Sequence, residues 1–295
     1  MKILITGGTG QVGFELCRTL APLGLILAPN RQALNLDRTD DVAAYLERHR
    51  PELIVNAAAF TAVDAAESQR EAAGRLNAGL PLQLAAYARE QGIPLVHYSS
   101  DYVYPGNGDM AWKEGDATGP LSHYGATKLQ GDEAIQRSGA AHLILRTSWV
   151  YSARGKNFLD TMLRLGRERE RLSIVDDQIG APTPARLIAT VTLLALREWQ
   201  RGAMEGGLYH LVSRGEASWH EFACEIFRQA IAAGEALAIS PEAVSAIPTR
   251  DYPTPAARPL NSRLAVDKLE TALGITLPDW QTQLALTLAE RLTPR

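Results

Sequence analysis

Lys2-Ile3-Leu4-Ile5-Thr6-Gly7-Gly8-Thr9-Gly10-Gln11-Val12-Gly13 begins as an almost continuous apolar run and passes through a cluster of glycines into a helical apolar pattern over 14–20. An apolar run of this length is expected for a strand buried on both faces of a parallel sheet. Strand, glycine turn and helix, in that order, is the context that cradles a dinucleotide pyrophosphate. Gly7, Gly10 and Gly13 let the backbone turn sharply, approach the phosphates and pack the helix on its strand. Gln11 and Val12 lie at the helix N-terminus, whose free N–H groups suit an anion. The spacing is GxxGxxG rather than GxGxxG, and a plain strand-to-helix turn is the alternative.

Reading outward, a second strand over 24–28 ends in Pro29-Asn30-Arg31, with no acidic residue to take a ribose 2′-hydroxyl. Arg31 suits a 2′-phosphate, which leans toward NADPH with NADH still possible; a merely solvated arginine is the other reading. Asn35-Leu36-Asp37 reads as a short strand end that brings Asp37 near an adenine. A buried strand over 53–56 leads into Ala57, Ala58 and Ala59, small enough for a cofactor to pass close to the backbone. Helical patterns over 67–77 and 80–91 precede a strand over 94–98, which delivers Ser100 to a strand's C-terminal end, where open α/β sheets hold ligands. A helix over 123–137 and a strand over 143–147 continue the alternation.

These elements predict an α/β fold with a Rossmann-type doubly wound parallel sheet, its dinucleotide-binding domain spanning 1–147. Regularity weakens after Thr147. A loop over 148–157, a helix over 158–170 and a turn-rich link over 178–183 suggest that 148–180 belongs to a substrate domain. A long apolar helix over 185–199 and a strand over 207–212 return 181–217 to the sheet domain. Residues 218–295 read mainly as a smaller, mixed C-terminal substrate domain, with helices over 219–233 and 279–291 around Pro248, Pro253, Pro255 and Pro259.

The chain has 295 residues, 46% hydrophobic and 21% charged, with a formal net charge of −3, so neither a nucleic-acid partner nor a disordered chain is expected. Cys17 and Cys224 are far apart and form neither a disulfide framework nor a CxxC metal pair. The opening Met1-Lys2-Ile3 leaves no room for a signal peptide, and no apolar run approaches a membrane span. A cytoplasmic protein with no membrane partner is the expectation.

Tyr124 and Lys128 stand four residues apart at the start of a helical pattern, on one face and about one turn apart. At about 4 Å and an effective dielectric near 20, attraction of roughly 4 kcal/mol would favour a phenolate by up to about 3 pKa units. The spacing alone is also that of an ordinary exposed helix face.

The glycine turn, Ser100 at a strand end and Tyr124-x-x-x-Lys128 together resemble the extended branch of the short-chain dehydrogenase/reductases. Within it, six motifs along the whole chain resemble the dTDP-4-dehydrorhamnose reductase family: 10–13, 56–64, 99–106, 146–151, 177–183 and 277–280. The resemblance implies hydride transfer from NADPH to the C4 ketone of a dTDP-linked 4-keto-6-deoxyhexose, as in nucleotide-sugar and polysaccharide biosynthesis. Tyr124 would give the proton, Lys128 would hold the nicotinamide ribose and lower the tyrosine pKa, and Ser100 would donate a hydrogen bond to the reacting oxygen. It implies substrate contacts at Thr61, Val63, Ser100, Tyr102 and Trp149, and we expect Arg258 near the diphosphate.

Some family members hold Mg²⁺ between carboxylates at a dimer interface. Glu15 keeps the first of those positions, but Arg186 falls at the second, so no bound metal is expected, and a monomer or a differently built homodimer is. Dehydratases and epimerases share the Tyr/Lys pair, although dehydratases carry an Asp-Glu pair where Asp101 is followed here by Tyr102. A non-catalytic, NADP-sensing regulatory subunit is the rival from another class.

Overall fold

The computed structural model describes residues 1–293. The last two residues of the expected 218–295 segment lie outside the described residues.

In chain order, the first half builds β1 (Lys2–Thr6), α1 (Gln11–Thr19), β2 (Leu25–Leu27), α2 (Thr39–His49), β3 (Leu53–Asn56), α3 (Val63–Ser68), α4 (Arg70–Gly74), α5 (Leu80–Gln91), β4 (Leu95–Ser100), α6 (His123–Ser138) and β5 (His142–Thr147). The second half builds β6 (Val150–Tyr151), α7 (Phe158–Glu168), β7 (Leu172–Val175), β8 (Ile179–Gly180), β9 (Thr183–Pro184), α8 (Ala185–Gln200), β10 (Gly207–His210), β11 (Ala217–Ser218), α9 (Trp219–Ala232), β12 (Val244–Ile247), α10 (Asp267–Leu273) and α11 (Trp280–Leu292). Six strands form one parallel sheet in the order β10-β5-β4-β3-β1-β2. The direction of winding reverses between β1 and β3, which opens a crevice at the C-terminal ends of the strands.

Strand residues alternate between two cores, as a pleat buried on both sides requires. Ile3, Ile5, Val55, Val96 and Leu145 face one layer, which holds Leu16 of α1 and Ile188 of α8. Leu4, Ile54, Leu95 and Ile144 face the other, against Leu46 of α2, Leu84 of α5 and Ile135 of α6. A third core joins Leu159 and Leu163 of α7 to Phe222 and Ile226 of α9 and Leu284 of α11. The small pairs β7/β12, β8/β11 and β6/β9 surround it. Leu264, Val266, Leu269 and Leu277 pack on the sheet's first core, so the chain around α10 leaves the smaller unit.

Two sequence expectations change, and one helix had no expectation. Residues 35–37 form a turn, not a strand end, and the sheet stops at β2. The Asn35 side chain accepts from the Asp37 amide at 3.2 Å, and Asn30 accepts from the amides of Gln32 and Ala33, so the side chains satisfy donors that a ladder would have used. The expected 67–77 helix breaks at Gln69 and then runs on into α5 through a π-helical turn, Arg75–Gly79. Helix α2 went unread because only Val42 and Leu46 are buried in it, too thin a stripe for periodicity to register.

The glycine turn is close-packed. A Cβ on Gly13 would stand 2.1 Å from the Gly7 carbonyl oxygen, and one on Gly7, where φ is +69°, would stand 2.7 Å from the Ala58 amide. Gly13→Ala is therefore expected to cost about 1–3 kcal/mol by overpacking and to weaken dinucleotide binding severalfold by moving the turn. Thermal melts and fluorescence titration with NADPH check both effects.

Candidate active site

A cleft of about 780 Å³ lies along the C-terminal edge of the sheet. Its floor at one end is the glycine turn, with Gly7, Gly10, Gln11 and Val12 in the lining. Helix α1 has Gly10 as its N-cap and no side-chain cap, so its first N–H groups are available to an anion. Gly13 is not in the lining; its role is the close helix–strand contact described above. Arg31 and Asp37 form an ion pair of 2.6 Å at the rim, and both line the cleft.

Ala57, Ala58 and Ala59 continue the lining beside β3, followed by Thr61 and Val63. This loop is clamped by Asn77 in the π-helical turn. Its Oδ1 accepts from the Phe60 amide at 2.8 Å, and its Nδ2 donates to the Phe60 carbonyl at 3.1 Å and to the Thr127 hydroxyl at 3.2 Å. A buried asparagine in a π turn thus ties this cleft wall to α6.

The reactive group of side chains comes from β4 and α6. Ser122 caps α6 by accepting from the Gly125 amide at 3.2 Å, which starts the helix beside the cleft. A Cβ at Gly125 would stand 2.2 Å from the Tyr102 carbonyl, so the glycine allows α6 to close on the turn after β4. Ser100, Tyr102, Tyr124 and Lys128 all line the cleft. The Tyr102 and Tyr124 rings meet edge to face at 5.5 Å. Ser100 Oγ donates to Asp101 Oδ1 at 2.9 Å and accepts from the Tyr102 amide at 3.2 Å, so its hydroxyl also caps the 3-10 turn, Asp101–Val103, that follows β4. The second oxygen of Asp101 is buried without a partner, and burial raises this carboxyl to about 6.

The charge logic of the Tyr/Lys pair differs from the sequence expectation. Lys128 Nζ donates to the Tyr98 carbonyl at 2.6 Å and lies 3.3 Å from His97 Nε2. Burial lowers it to about 8, partly opposed by Asp132. Burial also pushes the Tyr124 phenol up to about 12; the Ser100 hydroxyl opposes the shift, while Asp101 and Asp132 add to it. Desolvation of the phenolate thus outweighs the attraction expected from Lys128, whose ammonium is engaged by buried acceptors. The phenol is held as an acid.

The far wall is aromatic. Trp149 sits just after β5 with a left-handed φ of +47°, and its indole stacks on Trp219 with centroids 3.6 Å apart and planes at 9°. Both line the cleft. Trp219 was missed in sequence, although Ser218-x-x-Glu221 forms a capping box that marks the helix start holding it. Lys156 and Asn157 were missed too; Asn157 Nδ2 and Ser152 Oγ each donate to Gln11 Oε1 at 2.9 Å, joining the smaller unit to the glycine turn. Arg258 is not in the lining. It pairs with Asp64 at 2.8 Å and acts electrostatically on Tyr102, behind the cleft wall.

Arg186 lies between Glu15, at 3.4 Å, and Glu290, at 2.9 Å. Among the described residues no helix is long and apolar enough to cross a membrane.

The family profile described as the RmlD substrate binding domain matches residues 1–293. A dTDP-4-dehydrorhamnose reductase of Shigella flexneri is 48% identical over 297 residues, covering 99% of this chain and 99% of that protein. The crystal structure of a dTDP-4-dehydrorhamnose reductase from Clostridium acetobutylicum superposes with a TM-score of 0.90 at 34% identity, covering 98% of this chain and 99% of that one. That of a Bacillus anthracis dTDP-4-dehydrorhamnose reductase in complex with NADP gives 0.87 at 32% identity, with the same coverage.

Proposed function

The chain belongs to the RmlD substrate binding domain family, and from that premise we propose that it reduces the C4 ketone of dTDP-4-dehydro-L-rhamnose to dTDP-L-rhamnose with NADPH. The observation that carries this reading is the meeting of Ser100, Tyr124 and Lys128 in the same cleft as an uncapped glycine turn. The turn suits a dinucleotide because Gly7 and Gly10 line the cleft as bare backbone, and the turn closes on the Ala57–Ala58 backbone only because Gly7 has no Cβ. Gly7, Gly10, Gln11 and Val12 would hold the pyrophosphate, Ala57–Ala59 would flank the cofactor, and Asp37 would stand near its adenine. NADPH, when bound, supplies hydride to the ketone carbon. Tyr124 gives its proton to the developing alkoxide, and the Ser100 hydroxyl turns from Asp101 to donate to the same oxygen. Lys128 anchors the nicotinamide ribose.

Thr61, Val63, Tyr102 and Trp149 form the sugar and base site, and Arg258, paired with Asp64, adds positive charge near Tyr102 for the diphosphate. Asp101 is followed by Tyr102, so no adjacent carboxylate pair is available to move protons at neighbouring carbons, which favours net reduction. Arg186 supplies positive charge beside Glu15 in place of a divalent cation, which supports a chain that needs no Mg²⁺ there, as a monomer or a differently built homodimer. Two free cysteines fit work in a reducing cytoplasm.

Incubation with dTDP-4-keto-6-deoxy-L-mannose and NADPH is expected to give loss of nicotinamide absorbance; no turnover with NADPH or NADH would end the reading. In the same assay Arg31→Ala is expected to raise KM for NADPH about tenfold, the equivalent of about 1.4 kcal/mol and the worth of one charge-assisted bond to a 2′-phosphate. KM for NADH should stay unchanged.

A further inference from the structure

Below the cleft floor, Lys128 is joined to a row of buried polar side chains that the proposed reduction does not use. Thr6, Asn56 and His97 are register partners across β1, β3 and β4, so their side chains stand on one face of the sheet in a line. The Asn56 side-chain amide stands 2.6 Å from the Thr6 hydroxyl and 3.0 Å from His97 Nδ1, and His97 Nε2 lies 3.3 Å from Lys128 Nζ. All four residues are buried. An apolar side chain at position 97 would fill the layer without the cost of burying an imidazole.

The neighbouring charge explains what the imidazole does. Asp132 lies on α6 one turn beyond Lys128, and its Oδ1 is buried with no hydrogen-bond partner. Its Oδ2 is occupied by Ser99 at 2.8 Å and Arg146 at 3.0 Å. The free Oδ1 would draw an ammonium on a flexible four-carbon stem. His97 Nε2 stands 3.9 Å from that oxygen and 3.3 Å from Nζ, next to both. Burial and the Lys128 charge hold the ring well below the ordinary histidine pKa, so it is neutral; with its one proton on Nδ1, donated to the Asn56 amide oxygen, Nε2 is left to accept from Nζ.

We propose that His97 is a positioning residue for Lys128: fixed in the sheet by Asn56 and Thr6, it forms with the Tyr98 carbonyl a two-point seat that keeps Nζ on the cleft floor and away from Asp132. This rests on the reading that Lys128 serves a bound nicotinamide cofactor.

The test compares His97→Gln, whose terminal amide reaches the place of Nε2, with His97→Asn, whose amide reaches only the place of Nδ1. His97→Asn is expected to weaken NADPH binding in a fluorescence titration and to lower kcat, each about tenfold, with the sugar-nucleotide KM within about twofold; His97→Gln is expected to stay within about threefold of the parent in all three. Equal behaviour of the two variants, whether both intact or both impaired, would overturn the proposal. If His97→Asn does not melt cooperatively, Thr6→Val removes only the far end of the row and is expected to move binding and kcat in the same direction by about threefold; an unchanged Thr6→Val would then overturn it. Should the parent bind NADPH but leave the sugar unreduced, the reductase reading fails, and the NADPH titrations alone decide the role of His97.

Discussion

Tyr124→Phe is expected to lower kcat by about 100- to 10,000-fold, the usual worth of a positioned proton donor, while NADPH binding changes by less than about twofold. The substitution keeps the ring, and with it the edge-to-face contact with Tyr102, so the loss reports the hydroxyl alone. The phenol is raised to about 12, chiefly by burial. It is therefore protonated throughout the neutral range, as the proposed role of proton donor requires. Any alkaline fall in kcat/KM belongs to Lys128, which burial lowers to about 8: as pH rises through that value the ammonium is lost, so the limb should stand at the same pH in Tyr124→Phe as in the parent. Substantial turnover by Tyr124→Phe would overturn the proton-donor assignment.

Arg146→Met is expected to destabilise the fold by about 3–5 kcal/mol, the cost of leaving a buried charge without its partner. Arg146 and Asp132 are both buried, with Nε to Oδ2 at 3.0 Å. The guanidinium also donates to the Tyr104 hydroxyl at 2.8 Å, which in turn lies 2.7 Å from His210 Nε2. His210 is neutral, lowered to about 3 mainly by burial, and its Nδ1 faces the Ala265 carbonyl at 3.1 Å, so Nε2 takes the Tyr104 proton. Methionine fills volume but supports none of these groups.

The pH dependence gives a second check. Burial already holds the Asp132 carboxyl above its ordinary value, with Arg146 the largest opposing influence. Removing the arginine raises it further. A carboxyl whose folded pKa exceeds its unfolded one binds protons more tightly when folded, so its contribution to stability is lost as pH rises and regained as pH falls. The gap between Arg146→Met and the parent in urea unfolding should therefore narrow toward acid pH. A gap of less than about 1 kcal/mol at neutral pH would show that the pair is not needed for stability.

The glycine turn, the run of alanines after β3 and the Tyr/Lys spacing were legible because each answers to a local rule: backbone clearance, side-chain size and helix periodicity. Trp219, Asn77 and Lys156 were not, because nothing near them in the chain says which surface they will face. Arg258 shows what the chain order hides: its partner, 2.8 Å away, is Asp64, almost two hundred positions earlier.

By itself the sequence determined the alternating parallel sheet and the glycine turn between its first strand and helix, and it singled out the side chains proposed to react, since apolar period and glycine placement act within a few residues. Only the tertiary structure decided their electrostatics. The Tyr/Lys spacing promised a depressed phenol, but burial outweighs the attraction and His97 and the Tyr98 carbonyl hold the ammonium, from a strand some thirty residues earlier. Coulomb energies depend on distance and desolvation in three dimensions, and neither is written in the spacing along a chain.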